Sequence, residues 1–494
     1  MVTTILRGGR VIDPAAGTER VADVVVRGST VVAVSDVPVL EPGATVIDVS
    51  GMIVGPGFVD LHSHVHSIAG QRLQAFDGVT TNLDLEAGLM PIERAYAQSA
   101  AEGRVLNYGF SASWAEARGQ VLSGVVPQGL HPAEDLLGDP AWQRTSSPRE
   151  LDEWLGLLEN ELAAGALGIG VLVGYAPRTD PAEYLAVARL ASAAGAPTFT
   201  HVRELVEADP TTPIDGSLEV AIAAAETGAS MHHCHANSTS RRHIDRVLRT
   251  IDEAREAGSR ITVESYPYGT GSTSVGAFFL APERLAVMGM SPRNILMLGT
   301  GERIADARRL EEVRALDPGA TCLVELLDER DDADRELLLR ALAFPDSIVA
   351  SDAMPLEWPD RRPDTRDWPL PSGASTHPRT AGTFARSLRL MVRDHGIWDW
   401  PEAFRRCSFL PARVLDDVAP AMRRKGLLAA GADADLVVID PLTLTDNATA
   451  TDPVRPSTGV RQLIVGGTFV IRDGVLDADA YPGRAMRGEH RAVT

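Results

Sequence analysis

Short apolar runs rich in β-branched residues mark both ends of the chain. Residues 1–55 contain "TTILRGGRVID" and "ADVVVRGSTVVAVS", and the C-terminal part contains "ADLVVID" and "VRQLIVGGTFVIRDG". Runs of this kind, broken by Gly and Pro, predict strands. Because strand-rich segments flank a different middle, we predict that residues 1–55 and 416–494 fold together into a small β-sandwich domain.

The middle of the chain, residues 56–415, alternates apolar strands with capped helices. In "SSPRELDEWLGLLENELAAGALGIGVLVGY", Ser147 is the predicted N-cap and Pro148 the first helical residue. Gly165 is predicted to follow the helix, and a strand follows at once. Further units repeat this pattern, so we predict an α/β fold with a (β/α)8 TIM-like barrel. A doubly wound sheet is the alternative, but the Gly-rich phosphate turn typical of it is missing from this sequence.

Charge and composition exclude several classes of function. The net charge of −20 argues against a nucleic-acid partner, which requires clustered basic residues. No run approaches the ~20 apolar residues of a membrane span, and the start of the sequence does not have the pattern of a signal peptide. We therefore expect a cytoplasmic protein without a membrane partner. A homo-oligomer is compatible with the sequence, which gives no signal for the oligomeric state. The three cysteines form neither a disulfide framework nor a CxxC motif: Cys234, Cys322 and Cys407.

Three histidines alternate directly after a predicted strand in "GFVDLHSHVHS". On an extended strand, His62, His64 and His66 would point to the same side. A single buried histidine is usually a satisfied core residue. A pair at positions i and i+2 at the end of an apolar strand instead predicts that the two imidazoles hold a metal ion.

Further metal-ligating side chains stand at the ends of later predicted strands. His201 ends "TFTH", His235 ends "ASMHHCH" and Asp352 ends "SIVASD". In a barrel the carboxyl ends of the strands converge on one site. Together with the first histidine pair, these residues predict a mixed nitrogen and oxygen site for Zn²⁺ or a similar ion.

The sequence resembles the amidohydrolase superfamily, most clearly in "LRGGRVIDPAAG" and "VIDVSGMIVGPGFVDLHSH". The segments "THVRE", "YPYGTGST", "SDAMP", "HPRTAGTFARSL" and "KGLLAAGADADLVVIDP" are similar to its N-acyl-D-amino-acid deacylase (D-aminoacylase) branch. The resemblance implies a metal-containing barrel with a small β-sandwich. It also implies an enzyme that hydrolyses a linear C–N amide bond of a small-molecule substrate, most simply an N-acyl-D-amino acid.

The resemblance assigns roles to individual residues. His62 and His64 match the HxH motif of the first strand, and His201 and His235 match the single histidines of strands five and six. Asp352 matches the catalytic aspartate of strand eight. His233 shares a face with His235, which we prefer as ligand because it ends the strand. His66 stands where the branch more often has an aspartate.

The remaining metal ligand departs from the patterns of the superfamily. Many relatives use a carboxylated lysine on strand four, but Lys425 is the only lysine of this chain and lies outside the barrel. The deacylase branch instead has a cysteine at the end of strand two, where "GVTTNLDLEAG" offers Asp84 and Glu86. We predict that Glu86 is a ligand of one or two divalent ions, with a solvated glutamate as the alternative.

Substrate-binding residues are predicted from chemistry and from the same resemblance. A free α-carboxylate is held best by a planar guanidinium, for which Arg203 and Arg379 are candidates. Tyr175 is a candidate donor to the developing oxyanion. Three residues match a substrate-contacting motif of the branch: Tyr266, Tyr268 and Ser272.

Two other functions remain open from the sequence. Relatives often carry a lysine where this chain has Asn237, which weakens the case for an ordinary N-acyl-D-amino acid. A hydrolase of a cyclic amide or a heterocycle deaminase on the same scaffold is the first alternative. A non-catalytic protein of the same fold is the second, and it predicts broken ligand sets.

Overall fold

Eight strands form one sheet in the computed structural model, which describes residues 3–130, 134–360, 362 and 364–492. The strands follow one another in chain order across the sheet. A parallel bridge between Ser63 and Ala353, just beyond the first and last strands, brings the two ends of the sheet together. The architecture is therefore a (β/α)8 barrel, as predicted. Its strands are β1 (Phe58–Asp60), β2 (Val79–Leu89), β3 (Asn107–Ser113), β4 (Ile169–Val171), β5 (Pro197–Thr200), β6 (Ser230–His233), β7 (Ile261–Ser265) and β8 (Ser347–Val349).

The helices carry the capping residues that the sequence indicates. Ser147 caps Pro148–Ala163 through a complete capping box. Asp180 caps the helix Pro181–Ala194, which ends at Gly195 in the left-handed conformation. Such caps contribute about 1 kcal/mol each. The α-helices are Ile68–Phe76, Ile92–Glu102, Trp114–Ser123, Pro140–Gln143, Pro148–Ala163, Pro181–Ala194, Gly216–Thr227, Ala236–Ser240, Ile244–Glu256, Pro282–Val287, Ala307–Leu316, Asp332–Ala343, Arg379–Leu388, Trp400–Phe404 and Leu410–Val414, with π-helical turns at Arg389–Asp394 and Arg405–Phe409.

The chain divides into two compact units. The first comprises the described residues within 1–83, 99–109 and 348–486 and includes β1, β8 and a β-rich domain from both termini. The second comprises those within 84–98, 110–347 and 487–494 and includes β4 to β7. None of the helices in the described ranges combines the length and the apolar character that a membrane span requires.

The β-rich domain is a nine-stranded sheet. It joins the two ends of the sequence because Ile53–Pro56 pairs antiparallel with Leu436–Ile439. Leu6, Val54 and Leu436 are fully buried in its core. The domain therefore takes its strands from the two segments whose apolar runs predict them. The strands are Thr3–Asp13, Thr18–Arg27, Thr30–Ser35, Thr45–Asp48, Ile53–Pro56, Leu436–Ile439, Val460–Val465, Thr468–Arg472 and Val475–Leu476.

Lys425, the only lysine of the chain, has a structural role in the first unit. It is buried, and its ammonium group pairs with Asp433 at 3.2 Å and with Asp435. The Asp435 carboxylate also accepts hydrogen bonds from Asn107 at 3.0 Å and from the Gly466 amide at 2.6 Å. The ammonium group therefore neutralises the buried Asp435 and the half-buried Asp433.

A small antiparallel sheet lies in the second unit, in the segment that follows β7. It consists of Thr270–Ser274, Ile295–Met297 and Thr321–Glu325. Its own core includes Val275, Leu285 and Ile295, all fully buried. The sequence pattern does not predict this sheet, because its strands are short and separated by irregular segments.

Candidate active site

One cluster of polar side chains lies in the second unit, where Glu86 on β2 meets two histidines. The Glu86 Oε1 atom lies 3.0 Å from His201 Nδ1 and 2.6 Å from His235 Nε2. Glu86 and His235 are buried, and His201 is half-buried. The three ligand atoms lie within 4.8 Å of one another. One carboxylate and two imidazoles at these distances suit a divalent ion such as Zn²⁺.

Local backbone geometry brings the two imidazoles to Glu86. His235 follows β6 with a φ of 30°, a conformation that is costly for a residue with a Cβ atom. His201 follows β5, and a Cβ atom at Gly174 would lie 2.5 Å from His201 Cδ2, so only glycine fits there. Ser238 Oγ lies 3.0 Å from His235 Nδ1, which orients the ring. Metal-binding histidines usually have such a partner on the second ring nitrogen.

A second cluster lies in the first unit and contains His62, His64 and Asp352. The two Nε2 atoms are 3.2 Å apart, and Asp352 Oδ1 lies 3.4 Å from the first and 3.6 Å from the second. Asp352 has a φ of 49°, again in the left-handed region. Backbone strain at a polar residue of this kind is typical of functional sites.

The structure corrects the backbone predicted for the first histidine motif. Strand β1 ends at Asp60, so strand alternation does not extend through His62, His64 and the half-buried His66. The histidine pair is instead placed by the parallel bridge of Ser63, where the His64 amide donates to the Ala353 carbonyl at 2.8 Å.

Asp60 is a buried carboxyl group that the sequence interpretation missed. It accepts hydrogen bonds from the amides of His62 at 3.3 Å and Ser351 at 3.0 Å, from the Ser351 hydroxyl and from Gln74 at 3.1 Å. Burial raises the pKa of Asp60 to about 7. Asp60 thereby holds the segment of His62 against the segment of Asp352. Its signal in the sequence was an acidic residue inside the apolar run "GFVDL".

Arg379 lies beside Asp352 and is fully buried. Its Nη2 atom lies 2.8 Å from Asp352 Oδ1, and its Nε atom donates to the Asp352 carbonyl oxygen. The predicted role of Arg379 in binding a substrate carboxylate stays a prediction. In this structure, its guanidinium group holds the carboxylate of Asp352.

Arg203 is enclosed by neighbouring groups. Its side chain is 0% exposed. The guanidinium group donates to Glu219 at 2.8 Å, to the Pro177 carbonyl at 2.7 Å and to the Thr179 hydroxyl at 3.1 Å. In this structure Arg203 anchors the surrounding loops, and its predicted role in binding a substrate carboxylate stays a prediction.

The predicted substrate-contacting residues are divided between two places. The Tyr175 ring lies 4.6 Å from the His201 ring, and its hydroxyl lies 2.9 Å from Thr273 Oγ1. The Tyr266 ring lies 6.4 Å from that of His235. The Ser272 hydroxyl instead donates to the Cys322 carbonyl at 3.1 Å, within the small antiparallel sheet.

Asn237 has a structural role beside the histidine cluster. It is buried, its Oδ1 accepts from the Tyr266 amide at 3.2 Å, and its Nδ2 donates to the Tyr268 carbonyl at 3.3 Å. These bonds fix the segment that leaves β7. Both ends of the side-chain amide are therefore bonded to the backbone of this segment.

His233 lies apart from the Glu86 cluster. Its Nε2 lies 3.2 Å from Ser217 Oγ, and its Nδ1 lies 3.1 Å from the Cys234 carbonyl oxygen. Burial lowers the pKa of His233 to about 4. The residue is therefore neutral at pH 7 and belongs to the contact between β6 and the helix Gly216–Thr227.

We expect the buried His233 to make folding pH-dependent. Its contribution to stability is fully present above the unfolded pKa of about 6.5 and is lost as the pH falls towards about 4, because only the unfolded state takes up the proton there. Chemical unfolding at a series of pH values should show this slope, and His233→Gln should lose it. The exposed His243→Gln is the control, and an equal slope in wild type and His233→Gln would refute the assignment.

Comparisons with known proteins agree with this architecture. The sequence model of the amidohydrolase family matches residues 45–471 of this chain. A D-aminoacylase of Alcaligenes xylosoxydans xylosoxydans is 28% identical over 98% of this chain and 96% of its own length. The crystal structure of a D-aminoacylase is 23% identical, with a TM-score of 0.76, over 98% of this chain and 99% of that one.

A second solved structure is similar over nearly the whole chain. It is an N-acyl-D-glutamate deacylase from Bordetella bronchiseptica, complexed with zinc and a phosphonate inhibitor that mimics the tetrahedral intermediate. This protein is 24% identical, with a TM-score of 0.74, over 98% of this chain and 99% of that one. At these identities, the two solved structures support the fold.

Proposed function

Because the chain belongs to the amidohydrolase family, we propose that it is a metal-dependent hydrolase of a linear amide bond, with N-acyl-D-amino acids as the substrate class. The observation that carries this proposal is the Glu86 oxygen shared by His201 and His235 at the ends of two barrel strands. The deacylase activities of the relatives matched over nearly their whole length support the substrate class.

We assign the metal ligands on the chemistry of the donors. Imidazole nitrogens and carboxylate oxygens within a few ångströms of one another suit Zn²⁺ or a similar ion. When bound, such an ion polarises a carbonyl group and lowers the pKa of a coordinated water to about 7. The residues that would hold one or two ions are His62, His64, Glu86, His201 and His235.

Asp352 is the residue assigned to proton transfer. Its carboxylate accepts a proton from the attacking water and then donates it to the leaving nitrogen as the C–N bond breaks. The contact from Arg379 at 2.8 Å fixes the orientation of the carboxylate. The left-handed backbone of Asp352 places this side chain at the end of β8.

Tyr175 is assigned as the donor that stabilises the oxyanion. Its ring lies against His201, and its hydroxyl is held at 2.9 Å from Thr273 Oγ1. A fixed donor beside the reacting carbonyl is effective because it needs no reorganisation during the reaction. Tyr266, beside His235, is assigned to the wall of the same substrate site.

The substrate class is tested by amine release from paired N-acetyl-D- and N-acetyl-L-amino acids, with protein reconstituted with Zn²⁺. We expect release from D-enantiomers, with acidic, apolar and basic side chains compared to find the preferred one. Release from L-enantiomers alone would contradict the stereochemical assignment. No release from any member by protein with bound metal would reject the linear amide as substrate.

A further inference from the structure

A second group of metal-ligating side chains lies in the interior of the barrel. His232 on β6, Cys234 directly after β6 and Glu264 on β7 are each at most 1% exposed. His233, between the first two, points to the outer helix because it contacts Ser217. Since side chains alternate along a strand, His232 and Cys234 point inward.

The register of the two strands brings Glu264 to this pair. His232 is aligned with Thr262 in the parallel ladder, so Glu264 lies one side-chain step further towards the carboxyl end on the same face. His232 Nε2 lies 2.9 Å from Glu264 Oε2. Together with the Cys234 sulfur, these ligand atoms lie within 4.8 Å of one another. We propose that His232, Cys234 and Glu264 form a buried site for a divalent transition metal such as Zn²⁺.

Hydrogen bonds orient His232 and Glu264 as they would orient the ligands of a metal site. His232 Nδ1 lies 2.7 Å from Thr262 Oγ1, which leaves Nε2 directed at the group. A second partner of this kind is the usual arrangement for a metal-binding histidine. Glu264 Oε1 accepts the His235 amide at 3.2 Å, which leaves Oε2 directed at the same point.

Charge also favours an ion at this place. A divalent ion bound here would neutralise the carboxylate and the thiolate that coordinate it, whereas burying such charges without a counter-ion is costly. One thiolate, one imidazole and one carboxylate are all common ligands of Zn²⁺. The site adjoins the Glu86 cluster, because the Glu264 carboxylate accepts a hydrogen bond from the His235 amide and the Cys234 sulfur lies within 4.8 Å of a Glu86 ligand atom.

Cobalt substitution tests the site by its sulfur ligand. A thiolate-to-Co²⁺ charge-transfer band reports on Cys234. Because the Cys234 sulfur also lies within 4.8 Å of a Glu86 ligand atom, the band assigns the metal to this site only when it also depends on His232. We expect the band in the cobalt-loaded wild type and in Cys322→Ser, which changes another fully buried cysteine, and its loss in Cys234→Ser. A cobalt-loaded wild type without the band overturns the proposal, as does a band that persists in Cys234→Ser.

His232→Phe distinguishes this site from other metal binding by Cys234. Phenylalanine keeps a ring at a position that packs 5.4 Å from the Phe199 ring but offers no ligand. We expect this variant to lose the charge-transfer band, and an unchanged band overturns the proposed ligand set. Zinc X-ray absorption of the wild type needs no variant. The spectrum should show a sulfur ligand at about 2.3 Å from zinc. Zinc-loaded protein without a sulfur ligand would contradict the proposal.

Discussion

Asp352→Asn is expected to lower kcat by about 10²- to 10⁴-fold while metal stays bound, because asparagine keeps the size of the side chain but cannot accept the proton. The Arg379 contact to Oδ1 can be retained by the amide oxygen, so the fold around β8 should persist. Steady-state kinetics with the best substrate of the enantiomer panel and metal analysis of the same sample measure both parts.

The matched control for Asp352 is Asp446→Asn. Asp446 also pairs with arginine, at 2.7 Å from Arg389 Nε, in the same unit. A loss of charge pairing alone would therefore affect both variants. Turnover at the wild-type rate in metal-loaded Asp352→Asn would remove this residue from the proton-transfer role.

Glu86→Ala is expected to weaken metal binding by at least about 10-fold, because the change removes the oxygen shared by two imidazoles. Loss of a residue that merely orients a ligand already costs about 10- to 100-fold in affinity. Dialysis against a competing chelator, followed by elemental analysis, measures the effect. Activity should fall in parallel with metal content.

Asp84→Asn is the control for Glu86. Asp84 is a buried carboxylate on the same strand, and it accepts a hydrogen bond from the Gly88 amide at 3.3 Å. This variant should retain metal. If Glu86→Ala binds metal with wild-type stoichiometry and affinity, Glu86 is not a ligand.

Local signals in the sequence were sufficient for much of the fold. The predicted caps Ser147 and Asp180 begin helices because their side chains accept backbone hydrogen bonds within a few residues. Strand alternation was less reliable, since β1 is only three residues long and ends before His62.

The grouping of candidate ligands was predictable where it depends on residue type and on position at a strand end. Glu86, His201 and His235 come together in this way. The contacts of Arg203 were not predictable. Folding brings Glu219 and Pro177 to its guanidinium group, and no local sequence pattern indicates them. The interior pair of His232 and Glu264 depends on the register of two strands, which the sequence does not give.

Amine release by metal-free protein and by the same protein after addition of Zn²⁺ tests the proposed hydrolase most directly. The substrate is the N-acyl-D-amino acid that the panel selects, and Glu86→Ala is measured in parallel at the same zinc concentrations. We expect no release without metal, recovery with added Zn²⁺ in wild type and a higher zinc requirement in Glu86→Ala. Equal release by metal-free and zinc-loaded wild type would contradict a metal-dependent reaction at this site.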